Sequence, residues 1–139
     1  TSMSLPHASL PTWILSSAAT RSHQALHKRL TEAGFTGYEY RCLSTLATAA
    51  PLSQRELGDA VALDPRDVTH TVRALEARGL VTREQDPSHG RRVLVALTPA
   101  GRRAADRMAP VMAAVQDQVF GRLNPKERAT LLNLLERVG

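Results

Sequence analysis

Residues 53–79 read SQRELGDAVALDPRDVTHTVRALEARG, and this stretch decides the fold. Ser53 followed by Glu56 is a capping box, in which the two residues satisfy each other's otherwise unpaired backbone amides. The helix it opens is short, holds Leu57, Ala60 and Val61, and is expected to stop near Leu63. Asp64-Pro65 repeats the start signal. Asp64 supplies an N-cap oxygen, and Pro65 is tolerated at the first helical position because its missing N–H would be unpaired there. The second helix is expected to run to Arg78 and end at Gly79, burying Val68, Val72 and Leu75 at steps of four and three. Arg66, Thr69, His70 and Arg73 are left on its outer face. A short helix, a tight turn and a second helix with a free polar face make a helix-turn-helix, whose second helix fits a major groove about 12 Å wide. An arginine on that face can take O6 and N7 of guanine together, worth ~1–3 kcal/mol of discrimination. A merely solvated polar face fits the same pattern, so the residues that follow carry weight.

Leu80–Gln85 and Val93–Thr98 read as two strands around a turn-rich tip, Asp86 to Gly90, with Val93, Val95 and Leu97 on one face. His89, Arg91 and Arg92 stand at that tip, and narrow minor grooves attract inserted arginine. Ser53, Gln54 and Arg92 are candidate phosphate contacts. Thr98-Pro99 opens a long helix with Ala105, Met108, Met112, Val115 and Val119 on one stripe, and Pro110 inside it predicts a kink. Asn124-Pro125-Lys126-Glu127 opens the last helix, carrying Leu131, Leu132, Leu135 and Val138. Upstream, Thr36 caps a helix with Tyr40, Leu43, Leu46 and Ala47 on one face, ending before Pro51. A first helix spans about Leu10 to Ala33, with Gly34 at its C-cap.

The fold class is therefore mainly α with a small β-hairpin wing. The expected organisation is a flexible arm at 1–9, an N-terminal dimerisation helix at 10–35, a winged helix-turn-helix lobe at 36–98, and C-terminal dimerisation helices at 99–139. The terminal helices are too apolar to be covered by one small lobe, so a homodimer is expected.

Composition agrees. The 139 residues are 42% hydrophobic and 22% charged, which suits one globular domain rather than a disordered chain. Lys+Arg outnumber Asp+Glu by 18 to 13, a balance that suits a polyanionic partner. Because Lys28 and Lys126 are the only lysines, part of the arginine content also fits codon bias. Cys42 stands alone and reads as a small buried hydrophobe. No apolar run reaches the ~18 residues of a membrane span, and no signal-peptide pattern is visible, so a cytoplasmic, bacterial location is expected. No nucleophile with a base, carboxylate pair, phosphate loop or metal cluster is visible, so neither catalysis nor a cofactor is expected. His23 and His27, four apart, could face one metal, but no third ligand accompanies them and no metal is expected.

The run Leu63-Asp64-Pro65 through Val68-Thr69, then Leu75 to Arg83, Asp86-Pro87, Arg91 and Leu97-Thr98-Pro99-Ala100-Gly101, resembles the MarR family of bacterial transcriptional regulators. The resemblance implies a dimeric winged helix-turn-helix repressor or activator of duplex DNA, and a repressor released by a small-molecule effector is expected. It places an effector site near Trp13, Tyr38, Tyr40 and Arg41, suited to a small aromatic or acidic ligand. The family's wing pattern, Asp-x-Arg, falls on His89 and Arg91, so the carboxylate that orients the arginine is replaced by histidine. Arg66-Asp67 and His70 also depart from the family's common recognition-helix residues. The alternative class is a winged-helix protein-interaction module without specific DNA binding.

Overall fold

Four of the start signals become helix caps in the computed structural model, which describes residues 6–139. The Thr36 hydroxyl accepts from the Glu39 amide at 3.1 Å and Glu39 returns a carboxylate oxygen to the Thr36 amide at 2.9 Å, opening α2 (Gly37–Ala49). Ser53 and Glu56 do the same at 3.0 Å in both directions, opening α3 (Gln54–Val61). Asp64 Oδ1 accepts from the Asp67 amide at 2.8 Å at the start of α4 (Pro65–Ala77). Asn124 and Glu127 form the box that opens α6 (Pro125–Leu135). Each cap satisfies amides that no helical carbonyl can reach, worth ~1 kcal/mol. The two longest helices are α1 (Pro11–Glu32) and α5 (Pro99–Phe120), and α5 stays one helix through Pro110. Of the expected arm, residues 1–5 lie outside the described residues, and His7–Ser9 form a 3-10 turn.

The chain divides into two compact units, one spanning Leu30–Val111 and the other combining the helical residues up to Arg29 with Met112–Gly139. The first is built around a three-stranded antiparallel sheet in the order β1 (Leu52–Ser53), β3 (His89–Leu97), β2 (Val81–Asp86). Leu52 and Ser53 pair with Val95 and Leu94. The sequence reading missed β1, because two residues carry no periodicity. It also made the hairpin too short. Asp86 pairs with His89, so both strands run to the tip and only Pro87 and Ser88 turn. Leu43, Leu46, Leu57, Val72, Leu75 and Val95 are fully buried in this unit, and the inward face expected of α4 is joined by Thr71, whose hydroxyl donates to the Asp67 carbonyl.

Two devices fix the C-terminal end of α4. Arg78 Nη1 donates to the Gly34 carbonyl at 3.0 Å and to Glu39 at 3.3 Å, and its guanidinium lies 4.5 Å from the Phe35 ring centre. The turn between α1 and α2 is thereby tied to the end of α4. Beyond it, the Thr98 hydroxyl donates to the Gly79 carbonyl at 2.6 Å and accepts from the Gly101 amide at 3.0 Å, while the Thr98 amide donates to Leu80 O at 3.0 Å. This explains the Thr98-Pro99-Ala100-Gly101 run: α5 starts so close to Leu80 that a Cβ at Gly101 would overlap the Leu80 carbonyl oxygen. In the second unit Ala25 and Val115 are buried, whereas Leu10, Trp13, Ile14, Leu15, Leu132, Leu134, Leu135 and Val138 are exposed. No helix among the described residues is long and apolar enough to cross a membrane.

Replacing Gly101 by Ala is expected to destabilise the chain by about 1–3 kcal/mol, the usual cost of forcing atoms into a packed contact. Urea unfolding checks this, and an unchanged midpoint would contradict the close approach.

Candidate nucleic-acid interface

The turn that joins α3 to α4 determines what α4 can present. Ala62 takes the left-handed conformation (φ 56°, ψ 46°), and the Leu63 amide donates to the Gly58 carbonyl at 3.0 Å. Gly58 matters here because a Cβ would stand 3.3 Å from Val68 Cγ1, so the bare backbone lets α4 pack closely on α3. With Val68, Val72 and Leu75 buried, Arg66, His70 and Arg73 fall at i, i+4 and i+7 on one exposed face.

Thr69 sits between this face and α3. Its hydroxyl donates to the Pro65 carbonyl at 2.7 Å and accepts from Gln54 Nε2 at 2.8 Å. With its hydroxyl proton committed, it can offer a base edge one remaining acceptor lone pair and its methyl group, which suits contact with a thymine methyl. Gln54 is correspondingly a brace between α3 and α4, with its Oε1 buried and without a partner among the described residues. Ser53 is 5% exposed and its hydroxyl is the α3 cap. The expected cap is therefore present at this candidate phosphate contact.

The wing departs furthest from the sequence reading. Gln85 pairs with Val93 and Asp86 with His89, so Gly90, Arg91 and Arg92 are looped out of the ladder. Such a bulge re-aims side chains away from the sheet. Arg92, a candidate phosphate contact, pairs with Glu56 at the start of α3 and lies 3.9 Å from Asp86. Asp86 also accepts from the Ser88 amide at 2.9 Å and the Ser88 hydroxyl at 2.7 Å. Both carboxyls are held below their ordinary range. For Glu56 the largest cause is hydrogen bonding from Ser53, with Arg92 adding to it. For Asp86 the largest cause is the Ser88 hydrogen bonds, with Arg92 and His89 adding their charge.

Two grooves run along this surface. One is lined by Ser53, Gln54, Arg55, Glu56, His89, Arg91, Arg92 and Val93, the other by Gln54, Arg55, Gly58, Asp59, Leu63, Pro65, Val68 and Thr69. They share Gln54 and Arg55, so the wing, the start of α3 and the start of α4 form one continuous surface. Among the described residues, Arg55, Arg66, His70, Arg73, His89 and Arg91 are exposed and make no side-chain hydrogen bond or ion pair. Arg55 was missed in the sequence, since nothing in its local pattern separates it from any exposed helical arginine.

Arg41 donates to the Val61 carbonyl at 3.2 Å and its guanidinium lies 5.5 Å from the Tyr38 ring centre, while Tyr40 is half-buried. Trp13 belongs to the other unit, where it packs edge-on against His7 with ring centres 4.7 Å apart. His23 and His27 are exposed on α1, and no metal-holding cluster occurs among the described residues. Cys42 is fully buried and desolvation pushes its thiol up to about 11, which disfavours the reactive thiolate.

Comparison with known proteins agrees with this geometry. A family model described as the MarR family matches residues 35–93. An uncharacterized HTH-type transcriptional regulator of Bacillus subtilis, YkoM, is 33% identical over 108 residues, covering 78% of this chain and 70% of that protein. An HTH-type transcriptional repressor of Mycobacterium tuberculosis, Rv2887, is 32% identical over 110 residues, covering 79% of each. The structure of Bordetella bronchiseptica BpsR, whose DNA binding is regulated by 6-hydroxynicotinic acid, superposes with a TM-score of 0.85 at 27% identity, over 97% of this chain and 96% of that one.

The lowered carboxyls give a signed expectation. A depressed folded-state value means that the contribution is complete above the ordinary carboxylate range, ~3.9–4.3, and is lost as pH falls through the lower folded value. Titrated by NMR, Glu56 and Asp86 should both protonate below that range. In Arg92→Ala each should move only part of the way back up, because the Ser53 and Ser88 hydrogen bonds remain. Ordinary midpoints in the wild type would contradict the pairing.

Proposed function

The chain belongs to the MarR family of transcriptional regulators, and we propose that it is a repressor that binds a specific duplex DNA sequence as a homodimer and is released by a small-molecule effector. Regulators of this family are non-enzymatic, bind DNA and are typically dimers. The observation that carries the reading is the continuous surface, bearing Arg55, His89 and Arg91, on which the start of α4 and the looped-out wing meet through Gln54 and Arg55.

On this reading Arg66, His70 and Arg73 read base edges in the major groove, and the Thr69 methyl packs against a base. Arg91 enters the adjacent minor groove, His89 flanks it, and Arg55 takes phosphate. The lobe at 36–98 carries these contacts. The segments at 10–35 and 99–139 build the dimer, a role supported by the exposed Leu10, Trp13, Ile14, Leu15, Leu132, Leu134, Leu135 and Val138. A two-fold dimer pairs these two recognition helices with half-sites about 10–10.5 base pairs apart. Repression is supported by the description of the mycobacterial relative. Release by a ligand is supported by BpsR, and a small aromatic or acidic effector suits Tyr38, Tyr40 and the Arg41 cation.

Footprinting on the DNA upstream of this protein's own gene tests the assignment. The expected result is two protected half-sites one helical turn apart. Arg73→Ala should relax base preference at one position in each half-site, at a cost of ~1–3 kcal/mol. Unchanged base preference in Arg73→Ala would remove α4 as the reader.

A further inference from the structure

The wing holds Arg91 between two tethers. On one side, Gln85 Nε2 donates to the Gly90 carbonyl at 2.9 Å. On the other, the Arg92 guanidinium bridges Glu56 and Asp86. Arg91, the residue between them, makes no side-chain hydrogen bond or ion pair among the described residues and is exposed. A looped-out segment of this kind is ordinarily loose, because it has left the ladder. Here both of its flanks are fastened.

We propose that Arg92 is a positioning residue rather than a DNA contact: clamped by Glu56 and Asp86, it fixes the wing to the start of α3 and so aims Arg91. The anchor is itself well held. Glu56 Oε1, which accepts from Arg92, also accepts from the Ser53 amide at 3.0 Å, and Ser53 pairs with Leu94 across the sheet, two residues beyond Arg92. Strand pairing and ion pair therefore close a small ring in which the helix cap, the sheet and the wing move together. The clamp also answers the replacement of the family's wing carboxylate by His89. The anionic partners that position the wing come from Glu56 on α3 and Asp86 across the turn, and they act on the neighbouring arginine.

That Arg91 meets DNA rests on the function proposed above; that Arg92 is clamped does not, and the test separates the two. The variants are Arg92→Ala, Glu56→Gln and the double substitution. Glutamine keeps the capping box, so the α3 start survives in Glu56→Gln. In the free protein, 15N relaxation of the Gly90 and Arg91 amides should give order parameters near the rigid value of ~0.85 for the wild type, falling towards ~0.6 in all three variants. Unchanged order parameters would overturn the clamp whether or not DNA binds.

The second arm measures affinity for the upstream DNA as a function of salt. Each single variant should weaken binding roughly two- to fivefold, the range open to an exposed ion pair. The double variant should be no worse than Arg92→Ala, and the salt slope should stay as in the wild type. A phosphate contact behaves otherwise. Its loss in Arg92→Ala would lower the slope by about 0.9 per contact, and Glu56→Gln would tighten binding by removing an anion beside the duplex. That pattern would overturn the proposal. Loose wings in the variants with no DNA binding by the wild type would leave the clamp standing and remove the function.

Discussion

The approach of α4 to α3 is the constraint on which the rest depends. It needs a left-handed residue at Ala62, a carbonyl at Gly58 to receive the Leu63 amide, and no side chain at Gly58 where Val68 packs. An alanine in the left-handed region costs about 1–2 kcal/mol, and the hydrogen bond and the buried Val68 contact offset it. Once that turn is set, the rotation of α4 about its own axis is fixed by Val68, Val72 and Leu75. The outward position of Arg66, His70 and Arg73 follows with no further adjustment. Arg78 and Thr98 then hold the far end of the helix against the α1–α2 turn and the start of α5.

A rigid helix alone would read only one groove. On the proposed function the wing adds a second point of contact, whose usefulness depends on a stable distance from α4. The sheet supplies part of that stability through β1, which is brief but joins the start of α3 to β3. The ion pairs of Arg92 supply another part. They lie on the surface, so each contributes little to folding. On the proposed clamp their value is geometric, since restraining an exposed loop removes freedom that binding would otherwise have to remove.

Much of this was legible in the sequence because caps and buried faces are local. Ser53-x-x-Glu56, Asp64-Pro65 and Asn124-x-x-Glu127 name their own helix starts, and Val68, Val72 and Leu75 declare a face by spacing alone. What was not legible lies between residues distant in sequence. Arg92 meets Glu56 across a separation of 36 residues, and nothing in either neighbourhood signals the other. The occupation of the Thr69 hydroxyl by Gln54 was likewise hidden, because it depends on how α3 and α4 pack. The two-residue β1 has no period to detect. Tyr38 and Arg41 come together on one helix turn, as their spacing allows, whereas Trp13 stands in a separate unit.

The central claim is that this surface recognises a particular DNA sequence. A salt titration of binding to a random-sequence duplex and to the DNA upstream of the protein's own gene tests it most directly. The account predicts a steep slope with both, from arginine–phosphate contacts, and much tighter binding to the upstream fragment. Absence of binding to either at ~50 mM salt, where even non-specific phosphate contacts register, would contradict it.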